Sequence, residues 1–174
     1  MMTGAGKVTG TASAPKHTLL KSLGFDELID YKMSDYVTLY SSFRPFDVAL
    51  DQTSEGTRLC QVVKEGGCIV SAVEGFSGDD LANAGIPVNP ILRFALYMMR
   101  WSLLSKAKAA KVRHSGLFLT PNAADLDTLS AMVEKGQLKA IVEDNVFIGI
   151  DKSHEAFAKL ESGRVTGKVV VKIA

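Results

Sequence analysis

Short apolar runs alternate along the chain with longer segments whose apolar residues recur every three or four positions. The short runs predict strands, and the longer spacing predicts amphipathic helices. Several runs are continuously apolar, which is typical of strands that a parallel sheet buries on both faces. The predicted strands cover residues 7–12, 27–31, 46–50, 68–73, 116–119 and 168–173.

The helices predicted between these strands have recognisable start and stop signals. Ser54 is expected to cap a helix that carries Val62 and Val63 on one face and that Gly66 ends. Asn122 is expected to cap another helix in the same way. The other predicted helices cover residues 16–23, 34–42, 91–112 and 153–160.

Repeated strand–helix–strand units with short connections define the fold class. We expect an α/β fold with a mostly parallel sheet, helices on both faces and right-handed crossovers. At 174 residues the chain is long enough for one domain with a sizeable core. Residues 1–174 are therefore predicted to form a single domain.

Composition narrows the functional classes. The net charge of +1 gives no electrostatic reason to expect binding to nucleic acid or to an anionic membrane. The longest apolar stretch, residues 91–104, carries two arginines and is shorter than the roughly 20 residues that span a bilayer. Cys60 and Cys68 share no metal-ligand spacing, and no basic-then-apolar leader opens the chain, so we expect a reducing, cytoplasmic environment.

Individual titratable residues give weak evidence of chemistry. His17, His114 and His154 lie far apart and outside any metal-ligand motif, so each is expected on the surface or at a helix end. Asp51 and Glu74 follow predicted strands, where an α/β sheet places ligands, although a solvated loop carboxylate is the commoner explanation. By themselves these residues favour no reaction class.

The segment that follows the first predicted strand is more informative. Residues 11–17 bring hydroxyl groups, Lys16 and His17 to the point where a strand leads into a helix. Free backbone N–H groups and a lysine charge suit a phosphate monoester. An ordinary helix start with a solvated lysine explains the same residues equally well, so both interpretations stay open.

Three stretches together resemble the zinc-independent medium-chain dehydrogenases/reductases of the quinone oxidoreductase and enoyl reductase type. KVTGTASAPKHTLLKSLGFDELIDYK resembles that family's second strand, the following helix and the start of its third strand. FDVALDQTSEGTRLCQVVKEGGCIVSAVEG is similar to its fourth strand, helix and fifth strand. The stretch from LFLTPNAADL to GRVTGKVVVKIA resembles its closing pattern. The resemblance covers nearly the whole chain and implies a Rossmann-like sheet.

The resemblance also implies a site for NADP(H). The family's contacts to the adenosine 2′-phosphate fall on Ser13, Lys16 and Tyr31. Contacts on the nicotinamide side fall on Thr53, Val73, Gly75 and Leu119. In such proteins a hydride passes to a conjugated carbonyl or quinone of a small-molecule substrate, and positioning and a proton donor suffice without a metal.

Glycines near the start of the chain come close to the G-x-G-x-x-G spacing of a dinucleotide-binding turn. That turn follows one strand and opens a helix, whereas Gly4 and Gly6 precede a predicted strand and Gly10 lies within it. We therefore expect that the family's first strand, its Gly-rich turn, the next helix and its separate catalytic domain have no counterpart in these residues. Weak or absent NADP(H) binding is the alternative that this leaves open.

Absence of the first strand predicts a rearranged sheet. That strand lies centrally in the 3-2-1-4-5-6 order, and unpaired backbone in a core is costly. We expect the strands over 7–12 and 46–50 either to close up or to accept the apolar run 169–173 between them.

Two classes of function follow. The first is a compact NADP(H)-linked reductase of the quinone or enone type. The second is a non-redox homologue that binds a small molecule, catalyses a cofactor-independent step or acts as a partner subunit. In either case the resemblance implies a homodimer, formed through the strand over 116–119 and the helix over 91–112.

Overall fold

The computed structural model describes residues 4, 6–74, 76–117, 119–144 and 146–173. Every strand pair runs parallel, which confirms the predicted α/β class. The chain divides into two compact units, Met1–Thr120 and Pro121–Ala174. The single domain over 1–174 stays a prediction, because compactness does not show whether the two units fold independently.

The first unit alternates strands with helices. Its strands are β1 (Thr9–Thr11), β2 (Glu27–Ile29), β3 (Phe46–Asp51), β4 (Val63–Ser71) and β5 (Arg113–Gly116). Its helices are α1 (His17–Ser22), α2 (Tyr36–Tyr40), α3 (Gly56–Leu59), α4 (Gly78–Asn83) and α5 (Pro90–Ala109). A 3-10 turn over Ala14–Lys16 leads into α1. None of the described helices is long and apolar enough to cross a bilayer.

The five strands form two sheets. β1 pairs with β2, and β4 lies between β3 and β5. Within the described residues no backbone pairing joins β1 to β3, so the predicted closing-up of these strands is wrong. Side-chain packing connects the two sheets instead, through a buried cluster of Ile29, Tyr36, Tyr40 and Val62 against which Phe46 packs.

A second buried cluster fixes α5 against β4. It contains Cys60, Val63, Ile69, Ala107 and Val112. Ile69 is fully buried in this cluster, and because side chains alternate across a strand, Gly67 and Ser71 lie on the same face of β4 as Ile69. This face of the β3–β4–β5 sheet therefore carries the core, and its carboxyl end carries the polar residues described below.

The described residues of the second unit form two short parallel strands, two α-helices and a 3-10 turn over Ile150–Lys152. The helices and strands are α6 (Ala123–Glu134), β6 (Phe147–Ile148), α7 (Ser153–Glu161) and β7 (Val171–Lys172). β7 pairs with β6, so the prediction that residues 169–173 fill a slot between β1 and β3 is wrong. The N–H groups of Phe147 and Gly149 donate to the carbonyl groups of Val170 and Lys172. β6 lies much closer to β7 along the chain than β1 or β3 does, so this pairing closes a shorter segment at a smaller entropy cost.

Two element boundaries differ from those predicted from the sequence, because backbone pairing between strands determines where the strands begin. Ser54 has a φ of 60° and caps no helix, and Val63 opens β4 because it pairs with Phe46. β5 lies at Arg113–Gly116 rather than over 116–119, because its polar residues pair with Cys68 to Ser71 of β4. Backbone hydrogen bonds, which carry no sequence pattern, decided both boundaries.

Candidate functional site

The ends of β1 and β2 bring together the residues assigned to the 2′-phosphate. Thr11 pairs with Ile29, and the Ala12 N–H donates to the Ile29 carbonyl at 2.9 Å. Ser13 and Tyr31 therefore leave adjacent strand ends, two residues beyond a paired position. Lys16 ends the 3-10 turn that begins directly after Ser13. We call Ser13, Lys16 and Tyr31 the β1–β2 corner.

Side chains in the β1–β2 corner are accessible to a ligand. Tyr31 is 60% exposed, and Ser13 and Lys16 are half-buried. The Ser13 side chain makes no capping hydrogen bond to the turn that follows it. A hydroxyl, a phenol and an ammonium group can together donate hydrogen bonds to a phosphate.

His17 braces the start of α1. Its Nε2 lies 2.9 Å from the Ala12 carbonyl oxygen, which can only accept, so Nε2 carries the proton and donates it. The ring is half-buried rather than on the surface. His17 therefore stabilises the end of β1 through this hydrogen bond. The predicted phosphate contacts come from the β1–β2 corner and not from His17.

Two buried side chains organise the ends of β3 and β4. Asp51 is 2% exposed and accepts the N–H groups of Thr53 at 3.0 Å and Glu55 at 3.1 Å. The Ser71 hydroxyl donates to Asp51 at 3.2 Å and accepts the N–H group of Val73 at 3.3 Å. Asp51 is thus a structural anchor, which corrects its interpretation as a solvated loop carboxylate.

The described residues assigned to the nicotinamide side follow the carboxyl ends of β3, β4 and β5. Thr53 and Val73 follow the paired positions Asp51 and Ser71 and are exposed. Leu119, three residues beyond β5, is 83% exposed. Gly75 lies outside the described residues. Contact of these four residues with a cofactor stays a prediction.

Glu74 and His114 meet at a glycine, an arrangement that sequence reasoning missed. The Gly56 N–H donates to Glu74 Oε1 at 2.9 Å. A Cβ at Gly56 would stand 2.7 Å from Glu74 Oε1 and 3.4 Å from His114 Nε2. A larger residue at this position would displace the Glu74 carboxylate and press on the Leu103 side chain, 3.0 Å from the added Cβ. No sequence signal would have found this arrangement, because it depends on the register of β5, which places His114 beside Ile69.

The surface position expected for His114 is wrong. Both ring nitrogens are buried without a hydrogen-bond partner among the described residues, and so is Nε of Arg100 on α5. Burial lowers the pKa of His114, and the charge of Arg100 lowers it further, while Asp51 and Asp80 act in the opposite direction. Glu74 also lies near the ring, across Gly56. Burial in this position therefore favours the neutral imidazole of His114.

Replacing His114 with leucine is expected to flatten the pH dependence of stability. In the folded chain the pKa lies below the ordinary value of about 6.5, so the unfolded chain binds the proton first as pH falls. Wild-type stability is then full above about pH 6.5 and falls below it. Urea unfolding at about pH 7 and about pH 5.5 measures this change. The exposed His154→Leu on α7 is the control, and an equal slope in all three proteins would contradict the assignment.

A parallel α/β sheet with polar residues gathered at its strand ends defines the nucleotide-binding, Rossmann-like class of folds. The sequence profile of the family described as zinc-binding dehydrogenase matches residues 23–171. The chain belongs to this family, and it is a medium-chain dehydrogenase/reductase.

Similar proteins are named as reductases or oxidoreductases of a furanone, of an alkenal/one or of quinones. The 2-methylene-furan-3-one reductase of Solanum lycopersicum is 33% identical over 168 residues, covering 97% of this chain and 34% of that protein. The NADPH-dependent alkenal/one oxidoreductase, chloroplastic, of Arabidopsis thaliana is 29% identical over the same coverage. The solved quinone oxidoreductase from Coxiella burnetii has a TM-score of 0.70 and 26% identity, covering 97% of this chain and 45% of that one. This chain thus spans about a third to a half of its relatives' length.

The family's description raises the question of zinc. Within the part of the chain that the structure describes, no group of three or more His, Cys, Asp or Glu side chains could hold a metal ion. The buried Cys60 directs its Sγ to the Gly56 carbonyl oxygen at 3.2 Å. These residues do not fit a zinc site.

Proposed function

We propose that this protein is an NADP(H)-linked oxidoreductase of the quinone or enone reductase type that holds the adenosine 2′-phosphate in the β1–β2 corner. The observation that carries the proposal is the placement of Ser13 and Tyr31 at adjacent ends of two paired parallel strands, with Lys16 on the turn between strand and helix. The name of the Arabidopsis thaliana relative, an NADPH-dependent oxidoreductase, supports it.

The chemistry of the β1–β2 corner favours a phosphate over a free ribose hydroxyl. A dinucleotide fold selects the free hydroxyl with an acidic side chain, whereas the residue that follows β1 at this position is Ser13. Lys16 adds a positive charge for the phosphate. When bound, NADPH supplies a hydride for a small conjugated carbonyl or quinone. Thr53 and Val73 would border the reacting ring, and no metal is needed for this transfer.

Replacing Lys16 with alanine is expected to weaken NADPH binding about ten- to a hundredfold, because a charged hydrogen bond contributes about 1.5–3 kcal/mol. NADH has no 2′-phosphate, so its affinity should stay unchanged. Calorimetric titration of both nucleotides measures the two values.

Lys21→Ala is the matched control, because Lys21 is an exposed lysine in the last turn of α1. Equal losses for NADPH and NADH would argue against a 2′-phosphate site. No NADPH binding at millimolar concentration by a folded wild-type chain would overturn the proposal.

A second candidate is a homologue that binds a small molecule without redox chemistry. It is favoured by Gly10, which lies inside β1, where a Cβ would stand 2.6 Å from the Phe25 ring. This glycine serves packing, so it supplies no pyrophosphate turn. A folded chain that does not bind NADPH but binds a small molecule between Thr53 and Glu74 would support this candidate.

We also propose that the protein forms a homodimer through α5. Ile91, Phe94, Met98 and Trp101 recur at helical spacing and are all exposed. An exposed apolar stripe of this kind marks an interaction surface. The accompanying strand would be β5, with the corrected bounds. Sedimentation at the mass of two chains would support the dimer, and a single-chain mass would exclude it.

We also propose a cytoplasmic location. Cys60 and Cys68 are both free thiols, which is typical of a reducing compartment.

A further inference from the structure

One carboxylate joins the two segments that form the β1–β2 corner. Asp30 follows β2 directly and uses both of its oxygens. Oδ2 accepts the Ala14 N–H at 3.3 Å, and Oδ1 accepts the Lys32 N–H at 3.0 Å. Ala14 is the neighbour of Ser13, and Lys32 is the neighbour of Tyr31. The Asp30 side chain therefore spans the corner from one strand end to the other.

Backbone pairing does not fix this spacing. The ladder between β1 and β2 ends where the Ala12 N–H donates to the Ile29 carbonyl. Beyond that bond each segment closes on itself: the Lys16 N–H donates to the Ser13 carbonyl, and the Met33 N–H donates to the Asp30 carbonyl. Two self-contained turns have no ladder between them, so a side-chain link has to set their separation.

The negative charge of Asp30 strengthens its hydrogen bonds to the two backbone N–H groups but opposes phosphate binding. Hydrogen bonds to a carboxylate are roughly twice as strong as those between neutral groups. The same negative charge repels a phosphate that enters the corner. The balance between spacing and repulsion determines the direction in which a substitution changes affinity.

We infer that Asp30 is a positioning residue that sets the distance between Ser13, Lys16 and Tyr31 and thereby the preference for a 2′-phosphate. The inference rests on the proposed function. Asp30 needs no contact with the nucleotide, since it acts through the backbone of Ala14 and Lys32.

The experiment compares two carboxylates at opposite ends of the same strand pair. Asp26 Oδ2 accepts the Val8 N–H at 2.7 Å near the start of β1, so Asp26→Ala removes an equal charge and a similar bond away from the corner. Binding of 2′,5′-ADP and of 5′-ADP is measured by calorimetry for wild type, Asp30→Ala, Asp30→Asn and Asp26→Ala.

We expect Asp30→Ala to weaken 2′,5′-ADP at least about tenfold, the equivalent of about 1.4 kcal/mol, and to leave 5′-ADP unchanged. Asp26→Ala should change neither affinity. Asp30→Asn should recover part of the loss, because its single amide oxygen can accept one of the two bonds. Equal effects of Asp30→Ala and Asp26→Ala would overturn the inference. Tighter binding by Asp30→Ala would also overturn it, since repulsion would then outweigh positioning.

Amide hydrogen exchange separates this inference from the proposed function. Without nucleotide, the Ala14 and Lys32 amides should exchange faster in Asp30→Ala and unchanged in Asp26→Ala. Unchanged exchange in Asp30→Ala would overturn the link itself. If wild type protects both amides yet does not bind 2′,5′-ADP, the link exists, and the proposed function and the positioning role both fail.

Discussion

Replacing Asp51 with alanine is expected to lower the free energy of unfolding by about 3–5 kcal/mol, since buried donors lose a charged acceptor. The N–H groups of Thr53 and Glu55 and the Ser71 hydroxyl all donate to this carboxylate. Asp51 is nearly inaccessible, so water cannot replace it without disturbing the core. Urea unfolding followed by far-ultraviolet circular dichroism measures the loss.

The same strand provides the matched control for Asp51. Asp47 is also on β3, but it is exposed and forms an ion pair with Lys64 on the surface. Exposed ion pairs contribute little to stability, so Asp47→Ala should leave the urea midpoint nearly unchanged. Similar midpoints for the two variants would show that Asp51 is not an anchor of the strand ends that carry Thr53 and Val73.

Replacing Gly167 with alanine is expected to destabilise the second unit by about 2–5 kcal/mol, from a left-handed backbone and an overpacked contact. Gly167 has a φ of 91°, and an added Cβ would collide with the Ile141 carbonyl group, whose carbon would be 2.7 Å away. That carbonyl accepts the Lys168 N–H at 2.8 Å, where the chain turns toward β7. Hydrogen exchange of the Phe147 and Gly149 amides, which donate to residues 170 and 172, reports on the β6–β7 pairing.

The substitution Gly163→Ala distinguishes the cost of the left-handed backbone from the cost of the close contact. Its φ of 65° is also left-handed, but an added Cβ would meet nothing within 4 Å. Gly163→Ala should therefore cost only the backbone term of about 1–2 kcal/mol. Equal destabilisation by both substitutions would mean that the close approach to Ile141 contributes nothing.

Periodicity predicted the elements that local signals define. The helix capped by Asn122 was placed correctly, because its side chain accepts the Ala124 N–H and the apolar spacing continues to Glu134. Ser77 and Asp80 form a second such local signal, a capping box that starts α4, which is not among the predicted helices. Caps and spacing are properties of neighbouring residues, so they can be identified from the sequence.

The residues of the candidate site likewise differ in whether the sequence could predict them. Ser13, Lys16 and Tyr31 follow strands with clear patterns. The resemblance to known reductases predicted that they share one site, and the structure places them at adjacent strand ends. Asp30 and His114 gave no such signal, because their roles depend on which backbone group or helix lies opposite them.

By itself the sequence determined the α/β class, because that class depends on local periodicity. It also determined the family, through three long stretches that resemble known reductases. The nucleotide contacts of the β1–β2 corner are a prediction from that resemblance. Only the tertiary structure decided that β5 begins at Arg113, that β7 pairs with β6, and that Asp51 is buried. Each of these results depends on hydrogen bonds or packing between residues far apart in the chain. Several pairings compete for the same short apolar runs, and the complete fold selects among them.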